Sequence, residues 1–283
     1  MGTTAEKLAY LQETKSQIKD AINTQLNKYI TRSQSPIGSD FRSFVDWINA
    51  IPTGTGLSTG NYSNDSTITA VNVLPNFSEI SYQSFQNCRN LTSVTISRGV
   101  ESIGDSAFSG CSSLTSITIP DSVTSIGIYV FYGCTGMTSV TIPNSITSIS
   151  NGMFNTCRGL TSITIPDSIN SIGNSAFGGC RGLISVTIPD SVTGIENAAF
   201  DDCIGLTSVT IGNSVTSIGR YAFRGCTGLT SVTLTALIPP TIVDNSFYET
   251  NNCPIYVPAE SVDAYKTATN WSSYASRIQA IPS

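Results

Sequence analysis

Apolar and polar residues alternate in a pattern that repeats every 23 residues along most of the chain. One unit reads approximately L-T-S-V-T-I-P-D-S-V-T-S-I-G-x-x-A-F-x-G-C-x-G. Within it, Val94 and Ile96 alternate with Ser93 and Thr95, which is the period of a strand with one buried face. A proline or glycine ends this segment in most copies, and a second short extended segment follows at 123–126 and its equivalents. The pattern therefore predicts two short strands in every unit.

Three apolar positions of the unit keep the 23-residue step over seven copies. The first position holds Phe85, Phe108, Phe131, Phe154, Phe177, Phe200 and Phe223. The second, three residues later, holds Cys88, Cys111, Cys134, Cys157, Cys180, Cys203 and Cys226. The third holds Leu91, Leu114, Met137, Leu160, Leu183, Leu206 and Leu229. An imperfect first copy begins at Ile68, and the last copy slips, with Phe247 one residue late and Cys253 four residues late.

One unit cannot bury its apolar face alone, so neighbouring units must stack on each other. The repeat therefore predicts an α/β solenoid with a parallel β-sheet and about eight coils over residues 68–258. The A-F-x-G-C stretch of each coil is too short for a full helix, and we expect it to form one helical turn. Residues 1–51 are predicted to be a helical module, 52–67 a polar linker and 259–283 a C-terminal cap.

The N-terminal residues carry helix signals. Thr3 and Glu6 form a capping box, and a 3/4 spacing of apolar residues predicts a long helix over 4–30, followed by a short amphipathic helix in FRSFVDWINAI. Two interpretations stay open. Either the two helices pair and cover the first coil, or the long helix self-associates as a coiled coil and makes a homo-oligomer.

At the other end of the chain, residues 253–258 are predicted to form a last strand. The segment after it is predicted to form helical turns that cover the final coil, because an open edge would pair with other chains. The apolar residues of this cap are Val262, Tyr265, Trp271, Tyr274 and Ile278.

Residues 68 to about 258 resemble the BspA-like class of bacterial leucine-rich repeats, because the unit keeps its Leu, Phe and Cys positions in seven registers. The resemblance implies a leucine-rich-repeat solenoid. Members of this family occur in surface proteins and adhesins that bind host proteins, so it also implies a cell-surface or extracellular location. The N-terminal stretch TTAEKLAYLQETKSQIKDAI, followed by FRSFVDWI, is similar to short modules that head phage tail-fibre and prophage structural proteins. That similarity implies attachment or oligomerisation through the helices, in a virion or tail.

Composition excludes several classes of function. The chain has no histidine, which removes Ser-His-Asp and Cys-His nucleophilic systems and metal sites that need imidazole. Charged residues make up 12% of the chain, and a net charge of −5 without a Lys/Arg cluster predicts no nucleic-acid partner. The first twenty residues lack the apolar stretch of a signal peptide. The sequence contains no run of about 18 apolar residues, so we expect no membrane insertion. Because the carboxylates are scattered along the chain, we expect that the protein is not an enzyme and that it binds no cofactor.

The cysteine column has three interpretations. Equivalent cysteines of a solenoid stack at about 4.8 Å, slightly beyond the Cβ separation of a disulfide. No C-x-x-C spacing occurs, and a linear stack offers no tetrahedral metal site. We expect a buried column of free thiols, with isolated disulfides and a metal site as the alternatives.

Serine and threonine form two columns on the outer side of the predicted strands. The serine column is Ser93, Ser116, Ser139, Ser162, Ser185, Ser208 and Ser231. The threonine column is Thr95, Thr118, Thr141, Thr164, Thr187, Thr210 and Thr233. A structural interpretation is that threonine favours strands and that uncharged cross-strand pairs keep the solvent face uniform. The functional alternatives are a repetitive hydroxyl surface for a polysaccharide or, more remotely, for ice.

Exposed positions that differ between copies are better candidates for specific recognition, because a solenoid keeps its scaffold constant. These positions lie around A-F-x-G-C. The candidate ligand-binding residues are Tyr129, Tyr132, Arg158, Arg181, Arg220, Tyr221 and Arg224. Tyrosine and arginine are enriched at binding hot spots. The alternative is that these are unselected surface residues.

The sequence therefore predicts a non-enzymatic recognition or adhesion protein that binds a host or bacterial surface protein or glycan through its solenoid. Two other functions stay open. One is a phage tail-fibre-like receptor-binding protein with an N-terminal attachment helix, and the other is a purely structural spacer.

Overall fold

The computed structural model describes residues 62–73, 77–243 and 245–282. The chain divides into two compact units, Met1–Thr53 and Gly54–Ser283, and every described residue belongs to the second. The predicted helical module at 1–51, with its capping, coiled-coil and attachment roles, lies outside the described residues. Among the residues that the structure describes, no helix has both the length and the apolar character needed to cross a membrane.

Short parallel strands recur in successive coils of 23 residues. In chain order they are β1 (Ala70–Val73), β2 (Glu79–Ile80), β3 (Ser93–Ile96), β4 (Ser102–Ile103), β5 (Ser116–Thr118), β6 (Ser125–Ile126), β7 (Ser139–Thr141), β8 (Ser148–Ile149), β9 (Ser171–Ile172), β10 (Ser185–Ile188), β11 (Gly194–Ile195), β12 (Ser208–Ile211), β13 (Ser217–Ile218), β14 (Ser231–Leu234), β15 (Thr241–Ile242), β16 (Ile255–Val257) and β17 (Ile278–Ala280). The pairing keeps the repeat in register, as in Ser185 opposite Ser208 and Ile188 opposite Ile211. The predicted α/β solenoid is confirmed, with about nine turns.

The strands form two faces of the solenoid. The first face has the orders β1-β3-β5-β7 and β10-β12-β14-β16-β17, and the second has β2-β4-β6 and β15-β13-β11-β9-β8. On the first face, Val94 and Ile96 are buried while Ser93 and Thr95 are exposed, as the alternating pattern predicts. The predicted hydroxyl columns therefore lie on the outer side of this face.

A column of aromatic rings runs through the core. Consecutive rings from Phe85 to Phe247 stack with centroids 5.1 to 5.8 Å apart and interplanar angles of 1 to 14°. Tyr62 occupies the phenylalanine position of the coil before Phe85 and stacks on it at 5.3 Å. The described part of the solenoid therefore includes Tyr62, a ring that the sequence pattern did not identify. Each phenylalanine ring from Phe85 to Phe247 is covered on both sides, which explains why one residue type is repeated at this position.

Each coil closes through a segment that we call the arc, defined as residues 104–112 and their equivalents. The predicted helical turn is wrong for the arc, which consists of consecutive hydrogen-bonded turns. Ser106 and Gly110 have left-handed φ angles of 56° and 75°. This geometry lets Phe108 N donate to Val130 O of the next coil at 3.0 Å. Hydrogen bonds between stacked coils thus replace those of a local helix.

The C-terminal cap contains a 3₁₀ turn (Ala259–Ser261), helix α1 (Val262–Thr267) and a longer 3₁₀ segment (Trp271–Arg277). The predicted helical turns are confirmed. The cap also adds a strand that was not predicted, because β17 pairs with β16 through Ile278 and Ile255.

Polar atoms of the cap are satisfied by the last coil. Trp271 is fully buried, and its Nε1 donates to Pro240 O at 2.7 Å. The Tyr265 hydroxyl is also buried and donates to Ala236 O at 2.9 Å. The two aromatic side chains therefore cover the final coil without leaving a buried donor unpaired.

Candidate functional site

The arc presents its variable side chains to solvent because of its turns. In one coil, Ala222 and Phe223 point inward and are fully buried, while Tyr221 and Arg224 lie on the outer side. The core positions fix the backbone, so the outer positions can change from coil to coil without loss of packing. The arc is therefore the part of each coil that distinguishes it from its neighbours.

Tyr129 and Tyr132 form the first cluster of candidate residues. Their side chains are 42% and 44% exposed, and their rings meet edge to face with centroids 6.0 Å apart. The Tyr129 ring lies over Gly152 of the next coil, where an added Cβ would be 2.2 Å from the ring. The two tyrosines thus form a fixed aromatic surface, and Ile128, which is 38% exposed, adjoins it in the chain.

Arg220, Tyr221 and Arg224 form the second cluster. Both guanidinium groups lie over the Tyr221 ring, with their carbons 4.6 and 4.7 Å from its centroid. Arg224 also makes a bidentate salt bridge to Asp201 of the preceding coil, with Nε–Oδ1 at 2.7 Å and Nη2–Oδ2 at 2.5 Å. These hydrogen bonds to Asp201 raise the pKa of Arg224. Arg220 donates to the Tyr221 hydroxyl at 2.9 Å and makes no salt bridge within the described residues.

Arg158 and Arg181 hold equivalent positions of neighbouring coils, immediately after the cysteine. Both are exposed, and neither makes a salt bridge within the part of the chain that the structure describes. Their backbones are one coil apart, at about 4.8 Å. Two exposed arginines on neighbouring coils, neither in a salt bridge within the described residues, favour a ligand that carries acceptor oxygens.

The structure does not gather the seven candidate residues into one site. Tyr129 and Tyr221 hold the same arc position four coils apart, a separation of about 19 Å along the solenoid. Arg158 and Arg181 lie at the C-terminal end of the arc, next to the first face. The candidates therefore form three separate groups, which a large partner could contact together and a small ligand could not.

The cysteine column contributes to packing. All eight cysteines are free and buried. From Cys111 to Cys226 each thiol donates to the phenylalanine carbonyl of the preceding coil, as in Cys157 Sγ to Phe131 O and Cys180 Sγ to Phe154 O at 3.1 Å. Burial raises the pKa of Cys180 to about 12, so the thiol stays neutral and unreactive at ordinary pH. Among the described residues, no group of three or more Cys, Asp or Glu side chains is placed to hold a metal ion.

The sequence pattern missed Tyr248, which lies on the arc of the last coil. Its side chain is 52% exposed and borders a depression beside the cap. The available signal was the slip of the last copy, in which Phe247 and Cys253 stand six residues apart. The regular spacing is three residues, so the additional residues had to leave the stacked path.

The stacked parallel strands, the repeated Leu, Phe and Cys columns and the closing arc define a leucine-rich-repeat solenoid. The family model for the BspA type Leucine rich repeat region matches residues 55–182 and 147–274 with six copies. The chain therefore belongs to the BspA-type leucine-rich repeat family.

Solved structures of bacterial leucine-rich repeat proteins are similar to this chain. A T. pallidum leucine-rich repeat protein is 29% identical with a TM-score of 0.54, over 57% of this chain and 78% of that one. A Bacteroides ovatus leucine-rich repeat protein is 25% identical with a TM-score of 0.49, over 72% of this chain and 66% of that one. A leucine rich cell surface protein from Faecalibacterium prausnitzii is 22% identical with a TM-score of 0.34, over 81% and 83%. A search of curated proteins gives no match.

Proposed function

We propose that this chain is a non-enzymatic recognition module of the bacterial cell surface, and that it binds a surface protein or glycan through the arcs of its solenoid. Membership of the BspA-type family supports a surface role, since relatives in this family are cell-surface proteins. The three groups of tyrosine and arginine side chains supply the residue types that dominate binding energy at interfaces.

The observation that carries the proposal is the backbone at Tyr129 and Tyr221, with φ angles of 56° and 59°. A left-handed conformation costs a residue other than glycine about 1 kcal/mol, and a bulky side chain is unusual there. The same arc position is filled by Gly152, Ser175 and Ala198 in the coils between them, so the fold needs no large side chain. The exposed ring of Tyr129 and the partly exposed ring of Tyr221 at this position support contact with a partner.

The matching experiment is a screen of the full chain on arrays of glycans and of matrix and surface proteins, followed by titration of each hit. We expect at least one saturable interaction. The double variant Tyr129→Ala/Tyr132→Ala, or the variant Arg158→Ala/Arg181→Ala, should weaken it at least tenfold without lowering the melting temperature by more than a few degrees. The matched control is Thr95→Ala/Thr118→Ala, which removes exposed side chains from the first face.

Each outcome decides between the functions. A hit that weakens only in the arc variants supports recognition through the arcs. A hit that weakens only in the threonine variant moves recognition to the hydroxyl columns and contradicts the proposal. The absence of any saturable interaction on both arrays also contradicts it and favours a structural spacer.

A further inference from the structure

A depression of about 610 Å³ lies between the last coil and the cap, apart from Tyr129, Tyr132, Arg158 and Arg181. It exists because the repeat slips there. The residues added between Phe247 and Cys253 form an outward turn, in which Glu249, Asn251 and Asn252 have φ angles of 59°, 53° and 52°. A volume of this size lies in the usual range of small-ligand sites, about 300 to 1,000 Å³.

The outward turn is held in place by the cap. Arg277 Nε donates to Cys253 O at 2.8 Å, and its Nη2 donates to Thr250 Oγ1 at 2.9 Å. The Thr250 hydroxyl in turn donates to Phe247 O at 2.8 Å. The guanidinium group also lies 5.4 Å from the centre of the Tyr274 ring. The wall of the depression is therefore fixed before any ligand arrives, which lowers the entropic cost of binding.

The polar groups around the depression are available to a ligand. The side chains of Glu249, Asn251 and Asn252 are exposed and make no hydrogen bond or ion pair within the described residues. A carboxylate accepts hydrogen bonds, while an amide both donates and accepts them. Together they match the adjacent hydroxyl groups of a sugar. Tyr248, half-exposed on the rim, offers a ring for the apolar face of a sugar.

The charged side chains around the depression favour a neutral sugar over an acidic one. Arg277 is the one cation among the residues that line the depression, and it is already bonded to Cys253 O and Thr250 Oγ1. Glu249 makes no salt bridge in the described part of the chain, so its negative charge opposes a carboxylate or sulfate on the ligand. The centre of an interface with a protein partner is usually apolar or aromatic. Amide and hydroxyl side chains predominate among the residues that line the depression.

We propose that this depression binds a neutral saccharide, with Tyr248 stacking on a sugar ring while Glu249, Asn251 and Asn252 exchange hydrogen bonds with its hydroxyl groups. The proposal uses none of the seven arc candidates, so it can fail without affecting the proposed arc surface, and the reverse also holds.

The test uses the full chain and saturation-transfer NMR with two panels of oligosaccharides. The neutral panel contains glucose, galactose, mannose and N-acetylglucosamine oligomers, and the acidic panel contains uronic-acid and sialylated oligomers. We expect transfer to at least one neutral oligomer and to none of the acidic ones. Tyr248→Ala should weaken that binding at least tenfold, Glu249→Gln several-fold, and Tyr248→Phe less than threefold because the ring remains.

The control is Tyr82→Ala, which removes an exposed tyrosine that lies outside the depression and outside the seven candidate residues, and it should leave saccharide binding unchanged. The proposal is overturned by any of three results: no neutral oligomer binds, acidic oligomers bind at least as well, or Tyr248→Ala and Glu249→Gln both leave the affinity unchanged. Loss of binding in Tyr132→Ala, with none in Tyr248→Ala, would place the saccharide on the arc instead. That last result would contradict this proposal and support the proposed function.

Discussion

In the coils from Phe85 to Phe223, phenylalanine and cysteine stand three residues apart, whereas Phe247 and Cys253 stand six apart in the last coil. The rings of the regular coils are nearly parallel, as in Phe200 and Phe223 at 1°. At the end of the column, Phe247 meets Trp271 at 39°. A repeating stack thus changes into an irregular cluster within one coil.

The difference shows how a solenoid ends. In a stack of parallel rings, the last ring always has one face uncovered. Adding another identical coil would cover that face and leave the new ring uncovered in the same way. Trp271 closes it with a larger ring, and the short helical segments of the cap replace the regular arc of the earlier coils. Side chains released from the stack then line a polar depression. The regular coils supply rigidity, and the irregular end supplies a concave surface of different chemistry.

The largest effect that we expect to separate the two regions is a loss of stability at alkaline pH. Burial raises the pKa of Cys134 and Cys180 from 9.0 to about 12 in the folded chain. Unfolding returns these pKa values to their ordinary range, so the unfolded state releases the thiol protons first. The stabilisation is complete below pH 9 and is lost as pH rises towards 12. The thiols of the column shift in the same direction, so their contributions add, and we expect the sum to exceed the effect of a single substitution.

The measurement is the urea midpoint between pH 7 and pH 11. It should be flat below pH 8 and fall above pH 9, and the triple variant Cys134→Ala/Cys157→Ala/Cys180→Ala should fall less steeply. Cys253→Ala is the control from the irregular end, because burial raises the pKa of Cys253 while the nearby Arg277 opposes that rise. Equal midpoints at pH 7 and pH 11 in the unsubstituted chain would contradict this account of the thiol column.

The second effect is a break in the aromatic column. Phe177 is fully buried between Phe154 and Phe200, with centroids at 5.4 and 5.1 Å. We expect Phe177→Ala to lower the free energy of unfolding by about 3 to 5 kcal/mol, because it leaves a cavity that two flanking coils cannot fill. Chemical denaturation followed by circular dichroism measures the loss. Tyr132→Ala, an exposed substitution, should stay within about 0.5 kcal/mol, and a similar value for Phe177→Ala would rule out a continuous column.

The third effect tests the end of the column. Trp271→Phe keeps a buried ring but removes the donor to Pro240 O, which leaves a buried carbonyl unpaired. We expect a loss of about 1 to 3 kcal/mol in the free energy of unfolding. Thermal and urea unfolding should agree on this loss. A neutral result would mean that the cap is held by ring packing alone.

The repeat made most of the fold predictable and left its exceptions unpredicted. Strands, buried columns and outward hydroxyls follow from spacing alone, since each coil meets the same environment. The arc did not follow, because hydrogen bonds between coils, which are distant in sequence, override the local preference for a helical turn. Tyr62 and β17 were missed for a different reason: each joins the stack where the sequence departs from the repeated pattern. The sequence identified the candidate tyrosines and arginines by residue type and by variable position. It did not show that they form three separate groups, because that depends on how the coils that carry them stack.

The smallest effect tests whether equivalent positions of the regular coils are energetically equal. Ser191 Oγ donates to Ile169 O of the preceding coil at 2.7 Å, whereas the buried Oγ of Ser168, one coil earlier, has no hydrogen-bond partner. We expect Ser191→Ala to cost about 0.5 to 1.5 kcal/mol. Ser168→Ala should be neutral or slightly stabilising, because it removes a polar atom that gains nothing from burial. Paired urea titrations of the two variants measure the difference. Equal losses would mean that the Ser168 hydroxyl finds a partner in solution and that the regular coils are more uniform than their hydrogen bonds indicate.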